Sequence, residues 1–194
     1  MKLLALRHAT TGWNQAKRLQ GRSDQPLAPQ GLREAAGWRL PYWAADWPAL
    51  TSPLRRTQQT AEAMGLTAQS AVWLNEMDWG RWEGRRLAEL RRELGPRMAA
   101  QEARGLDLKP PGGESPRMVR ERLAPFLADL SRQPGAGRLL VTHKGVLRAL
   151  LSLATGWDLR QPWPEAFRPG HAHLFTLERR GSLSLDRLNL DLSP

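Results

Sequence analysis

Leu3-Leu4-Ala5-Leu6-Arg7-His8-Ala9-Thr10-Thr11-Gly12 runs four apolar residues into two basic ones and then into small turn formers. An unbroken apolar run this short reads as a strand buried on both faces, and Thr11-Gly12 after it reads as the opening of a helix. The same grammar recurs twice. Pro48-Ala49-Leu50-Thr51 leads into Ser52-Pro53-Leu54-Arg55-Arg56, where Ser52 is expected as the N-cap and Pro53 as the first helical residue. Arg138-Leu139-Leu140-Val141-Thr142 leads into His143-Lys144-Gly145. There Val146, Leu147, Leu150, Leu151 and Ala154 keep helical spacing and Gly156 is the expected stop. Buried strands alternating with helices predict an α/β fold, a mostly parallel central sheet flanked by helices on both faces.

In such sheets ligands gather at the carboxyl ends of the strands. Arg7 and His8, Arg56, and His143 would therefore project from one edge. Each alone has a plainer reading as a surface arginine or a capping histidine; their recurrence at three equivalent positions is what gives them weight.

Between these units, a helix is expected from about Leu32 to Ala45, interrupted or kinked at Pro41, and another after Ser115-Pro116 with a kink at Pro125. Lys109-Pro110-Pro111-Gly112-Gly113-Glu114 reads as loop. Ala172 to Glu178 and Ser182 to Asn189 read as two strands joined at Arg179-Arg180-Gly181. No repeat or linker interrupts the 194 residues, so residues 1–194 are expected to form a single domain.

Composition narrows the function classes. Hydrophobic content of 41% with 25% charged residues suits a globular chain, and no stretch approaches a membrane span. There is no cysteine, which excludes disulfides, thiolate nucleophiles and cysteine-based metal centres. With no signal-like N-terminus, a cytoplasmic location is the expectation. The net charge of +10 admits nucleic acid as a partner, yet the arginine-rich stretches Arg81 to Arg97 and Arg117 to Arg122 are interleaved with Glu83, Glu89, Glu93 and Glu121. Mixed runs of that kind make solvated helix faces; a surface that draws in small anionic substrates ranks next and a nucleic-acid groove third, so no nucleic-acid partner is expected unless the motifs call for one.

Two guanidiniums and two imidazoles at one sheet edge suit an oxyanion, phosphate first among them. No GxxxxGK[ST] loop and no GxSxG elbow is present. Histidine is left as a nucleophile able to attack phosphorus.

The stretch Arg7-His8-Ala9-Thr10-Thr11-Gly12-Trp13-Asn14 resembles the Arg-His-Gly signature of the histidine phosphatase superfamily, the phosphoglycerate mutase-like family. The likeness continues through Gln20 to Leu27, Gly31, Ser52 to Ala61, Glu76 to Gly84, Pro111 to Ser115 and Val141 to Arg148, covering nearly the whole chain in order. The resemblance implies that His8 becomes phosphohistidine, that Arg7, Arg56 and His143 hold the phosphoryl oxygens, and that Glu76 protonates the leaving oxygen and later activates water. Asn14 would add a hydrogen bond to phosphate, with Thr11, Gln20 and Gly145 as further substrate contacts. Trp79 and Trp82 are candidates for an apolar wall beside Glu76. The same resemblance implies no metal and no cofactor.

Rivals exist for several of these assignments. Glu83 competes with Glu76 and is read as structural; Arg55 competes with Arg56; Ser115 is read as a helix cap. His171 and His173 share one face of a strand, but two ligands are too few for a metal site. Two positions depart from the family pattern. Ala9 stands where Gly is usual and would be strained if the turn needs positive φ. Lys144 also replaces a usual Gly and either meets solvent or extends a cationic rim toward a second anionic group.

The sequence Glu76-Met77-Asp78-Trp79-Gly80-Arg81-Trp82-Glu83-Gly84 is similar to the phosphatase branch rather than to the Glu-Arg-His-Tyr-Gly of the mutases. Pro111-Gly112-Gly113-Glu114-Ser115 looks like the loop of α-ribazole phosphatase and broad phosphomonoesterases. The chain is also short for the cofactor-dependent mutases. The expected activity is metal-independent phosphomonoester hydrolysis on a small phosphorylated metabolite, its pocket shaped between about Arg85 and Ser115. The alternatives are phosphoglycerate mutase activity or a non-catalytic phosphate or nucleic-acid binder. Monomer and homodimer are both left open.

Overall fold

The computed structural model describes residues 1–163 and 165–193. Six strands form one sheet in the order β3-β2-β4-β1-β5-β6: β1 Lys2–Arg7, β2 Ala49–Thr51, β3 Ala68–Ser70, β4 Gly137–Thr142, β5 His171–Leu177 and β6 Leu183–Asp191. The first four in that order run parallel; β5 pairs antiparallel with β1, and β6 antiparallel with β5. β1 and β4 lie side by side in register from Lys2 opposite Gly137 to Arg7 opposite Thr142, which brings the segments after both strands to the same edge.

Why the two central strands are apolar without alternation is visible in their packing. Leu3 and Ala5 face a core built with Leu123 and Leu127 of α6 (Pro116–Leu130) and Val146 and Leu150 of α7 (Lys144–Thr155). Leu4 and Leu6 face the other layer, with Leu139, Val141 and Ala61 of α3 (Arg55–Ala63). Helices therefore cover both faces, and every residue from Leu3 to Leu6 is fully buried.

The remaining helices are α1 Gly12–Gln15, α2 Pro29–Gly37, α4 Leu87–Leu94 and α5 Pro96–Glu102. Helix α2 starts and stops earlier than the expected Leu32 to Ala45: Pro29 supplies its first turn, and the chain turns extended at Trp38, well before Pro41. Only a single 3-10 turn, Tyr42–Ala44, follows. Pro125 does not split α6, which runs fifteen residues behind a Ser115 cap whose hydroxyl accepts from the Met118 amide at 3.2 Å. Gly156 closes α7 with φ of +76°, a left-handed conformation that glycine adopts without strain. No helix among the described residues is long and apolar enough to cross a membrane.

Candidate active site

The turn after β1 carries the first part of the site. His8 is buried, and its backbone N–H donates to the Thr142 carbonyl at 2.9 Å, tying it to the end of β4. Its Nδ1 lies 2.7 Å from the carbonyl oxygen of Ala9. A carbonyl only accepts, so Nδ1 carries the proton and Nε2 keeps a free lone pair. Burial, and then the Arg7 and Arg56 guanidiniums, hold the His8 imidazole well below its ordinary range, against the opposing bond to Ala9. The ring is neutral at pH 7.

Ala9 does not carry the expected strain. Among the described residues it is not one of those with positive φ. Its N–H donates to Thr60 Oγ1 at 3.0 Å, and its methyl group packs with Leu27 and Ala35.

The second unit departs from its expected cap. Helix α3 begins at Arg55, with Leu54 at the N-cap, so Pro53 precedes the helix. Ser52 is instead fully buried, its Oγ 2.8 Å from His143 Nε2 and 2.8 Å from Thr57 Oγ1. Arg56 is also fully buried; its guanidinium donates to the carbonyls of Ser23 (2.9 Å) and Gly21 (2.7 Å) and, through Nε, to His143 Nδ1 at 3.2 Å. Arg55 is exposed, which leaves Arg56 as the arginine of the site.

His143 is thereby fixed in the opposite tautomer from His8. Arg56 can only donate, so His143 Nδ1 accepts and Nε2–H points to Ser52. The Ser52 hydroxyl passes the chain on to Thr57, which donates to the Leu54 carbonyl at 2.8 Å. The two imidazole rings meet edge to face with centroids 5.2 Å apart. Burial first, then Arg56, keeps His143 well below its ordinary range too. His143 stands behind His8 and Arg56 and does not itself line the cavity.

Glu76 arrives from the segment after β3. Its Oε1 accepts from the Met77 amide at 2.8 Å and its Oε2 from the Gly145 amide, in the first turn of α7, at 3.2 Å. A Cβ on residue 145 would come within 2.2 Å of Glu76 Oε1, so glycine is what lets the carboxylate lie against the helix. Trp79 lines the cavity as expected. Trp82 does not; it is buried with Leu90 and Met98 beneath. Glu83 has the structural part read for it: its carboxylate accepts from the amides of Arg22 (2.7 Å) and Ser23 (2.9 Å), pinning the loop whose carbonyls hold Arg56.

Arg7, His8, Asn14, Gln20, Arg56, Glu76 and Gly145 all line one cavity of about 560 Å³. Thr11 is the expected contact that the structure withholds. Its hydroxyl caps α1 by accepting from the Asn14 amide at 3.1 Å and bonds Gln20 Oε1 at 2.9 Å, so it props the two residues that reach the cavity instead of reaching it. Asn14 Oδ1 accepts from the Thr11 amide at 3.0 Å. The Arg7 side chain is buried, and its Nε has no hydrogen-bond partner among the described residues. Two buried guanidiniums facing one carboxylate make a basin prepared for an anion, since an incoming oxyanion recovers interactions that burial removed.

The outer cavity is lined from α4, α5 and the turn after them by Leu87, Arg91, Met98 and Leu108, as the Arg85 to Ser115 expectation has it. Sequence reasoning missed a second contributor, the segment after α7 that brings Leu159 and Arg160. It also missed Ser52, which its proline neighbour disguised as a helix cap. Among the described residues no three His, Asp or Glu side chains cluster in a metal-binding arrangement. His171 bonds the Pro169 carbonyl, while His173 is buried against the Phe167 ring and takes its Nδ1 hydrogen bond from the Asn189 amide.

Comparison with known proteins agrees with this fold. The model of the histidine phosphatase superfamily (branch 1) matches residues 3–191. A probable phosphoglycerate mutase, GpmB, of Klebsiella pneumoniae is 34% identical over 165 residues, 80% of this chain and 75% of that protein. Among solved structures, a candidate alpha-ribazole-5′-P phosphatase of Escherichia coli K-12 superposes with a TM-score of 0.84 at 27% identity, covering all of this chain and 98% of that one. The protein TTHB049 of Thermus thermophilus gives 0.74 at 34% identity, over 98% of this chain and all of that one. The chain belongs to the histidine phosphatase superfamily, branch 1.

Proposed function

We propose that this protein is a phosphomonoesterase that works through phosphohistidine at His8. One observation carries the reading: the Ala9 carbonyl fixes the His8 proton on Nδ1, leaving Nε2 as an unprotonated nucleophile in a basin of buried cations. In the first step the Nε2–P bond forms as the bond from phosphorus to the ester oxygen breaks, and Glu76 hands a proton to the departing oxygen. In the second, Glu76 takes a proton from water as that water attacks phosphorus, the N–P bond breaks and phosphate leaves.

Arg7 and Arg56 offset the charge on the equatorial oxygens. Asn14 and Gln20 add donors at the rim. For His143 to donate to a phosphoryl oxygen its proton must move to Nδ1, which requires the Arg56 Nε–H to leave that nitrogen for the incoming phosphoryl group. Ser52 can then donate to Nε2, because a hydroxyl donates to it as readily as it accepts from it. Lys144 opens α7, whose N-terminal dipole favours the same anion while the Gly145 amide holds Glu76.

Hydrolysis is favoured over mutase chemistry by the acid segment, in which Trp79 and Gly80 follow Glu76-Met77-Asp78. The 34% identity to a phosphoglycerate mutase favours the second reading, phosphoryl return to the substrate. Rapid-quench labelling with a ³²P-monoester, run beside assays of phosphate release and of 3- to 2-phosphoglycerate conversion, separates the two. Acid-labile label that decays to inorganic phosphate is the expected result. Isomerisation faster than phosphate release overturns it, and no label at all favours a non-catalytic binder.

A further inference from the structure

Five cations line the cavity outward of the phosphate basin, and their partners differ. Arg91 is engaged by Glu102 at 2.7 Å, Arg160 by Asp158 at 3.6 Å, and Arg18 donates to the Gly84 carbonyl at 2.6 Å. Lys144 and Arg148 have neither an ion pair nor a hydrogen bond among the described residues, although both line the cavity. They stand four residues apart on α7, so their side chains share a face, and like charges at that spacing repel.

Arg148 repeats a signature seen at the phosphate basin. Its Nε is buried with no partner among the described residues, as Arg7 Nε is. For Arg7 the scissile phosphoryl group explains the orphan donor. Arg148 lies about 6 Å further along the helix than Lys144, and the scissile group explains nothing there. Its guanidinium stacks over the Trp157 ring at 5.3 Å, which fixes its position. Arg148 and Lys144 line the same cavity, and the Arg148 charge is felt at Lys144. Partial desolvation where it lines the cavity, and then the Arg7 and Arg148 charges, hold the Lys144 ammonium below its ordinary value, a repulsion that a bound anion would relieve.

Resting on the phosphohydrolase reading, we infer that Lys144 and Arg148 form a second oxyanion subsite. The substrate is a phosphomonoester that bears a further anionic group, such as a carboxylate, on its leaving-group side. Leu87, Met98, Leu108 and Leu159 supply an apolar flank for the spacer between the two charges.

The test compares matched esters: 4-carboxyphenyl phosphate against phenyl phosphate, and 3-phosphoglycerate against glycerol 3-phosphate. At least one carboxylated member is expected to exceed its uncharged counterpart about tenfold in kcat/KM, and Lys144→Ala and Arg148→Gln should each reduce that ratio about fivefold. Calorimetric titration of the same pairs into His8→Ala gives the ratio of Kd values without turnover. It also covers the case in which Arg148→Gln loosens the packing on Trp157, since Lys144 is exposed and its variant should fold. Equal kcat/KM and Kd within both pairs, or variants that weaken both members alike, overturns the subsite. Absence of turnover of all four esters beyond the His8→Ala background instead overturns the phosphohydrolase reading, and the calorimetric ratio still decides the subsite.

Discussion

His8 and His143 occupy the same place in two βα units, one residue beyond parallel, adjacent strands, with rings 5.2 Å apart. Both are buried, and both imidazoles are held neutral by burial and neighbouring arginines. They differ in what occupies their nitrogens. His8 spends one nitrogen on a backbone carbonyl and leaves the other free, whereas His143 has a guanidinium on Nδ1 and a hydroxyl on Nε2. The strand end supplies position; the groups bonded to each ring decide which histidine reacts and which one supports.

The severest way to break this comparison is to remove each ring in turn. His8→Ala should lower kcat at least about a thousandfold and abolish acid-labile phosphate, whereas His143→Ala should cost about a hundredfold and still label His8. Equal losses with label absent from both variants would mean that the two rings act as one unit, and the contrast drawn from their partners would be wrong. A milder cut is Ser52→Ala, which leaves His143 Nε2–H unpartnered. A loss of about tenfold in kcat with little change in KM is expected, the rate equivalent of one net hydrogen bond. Nitrogen NMR of the rings at pH 7 should show Nδ1–H on His8 and Nε2–H on His143 in the native protein, and still Nε2–H on His143 in the variant, because Arg56 keeps donating to Nδ1. A mixture of His143 tautomers in the variant would show that Ser52, and not Arg56, sets the tautomer.

Acid titration is the gentlest probe. His8, His143 and His173 all bind protons less readily folded than unfolded, so the unfolded chain gains protons first as pH falls below about 6.5. Stability should therefore fall with falling pH from that point. For His173, pushed down to about 4 by burial, the loss between 6.5 and 4 is on the order of 3 kcal/mol. Urea midpoints measured across that window should fall more gently in His173→Gln than in the native chain. Parallel profiles would remove His173 from the account and leave the two site histidines to carry the whole slope.

Much of the sheet is readable from residues because its centre is doubly buried. Leu3 to Leu6 and Leu139 to Val141 have to be apolar on both faces, and a run of that kind admits few alternatives. The edge strand β3 is different: Ala68, Gln69 and Ser70 carry no such pattern, because one pairing with β2 is all that defines them. The same contrast governs the site. Arg7, His8, Arg56 and His143 are placed by strand ends, which sequence marks well. Thr11 and Ser52 are misread because Ser and Thr serve as caps, props or ligands with identical local sequence, and only the tertiary neighbours, Gln20 for one and His143 for the other, decide which. Leu159 and Arg160 reach the cavity from a segment after α7 that has no periodicity to announce it.

Residues 144 and 145 are neighbours in sequence that live under opposite rules. At 145 even a methyl group would collide with the carboxylate of Glu76, while the side chain at 144 reaches into open space at the cavity mouth. Mutational drift therefore meets no steric limit at 144, where it trades substrate preference, and is stopped at 145. A library that randomises the pair would collapse onto its first position, and substrate preference could be retuned there without disturbing the chemistry one residue away.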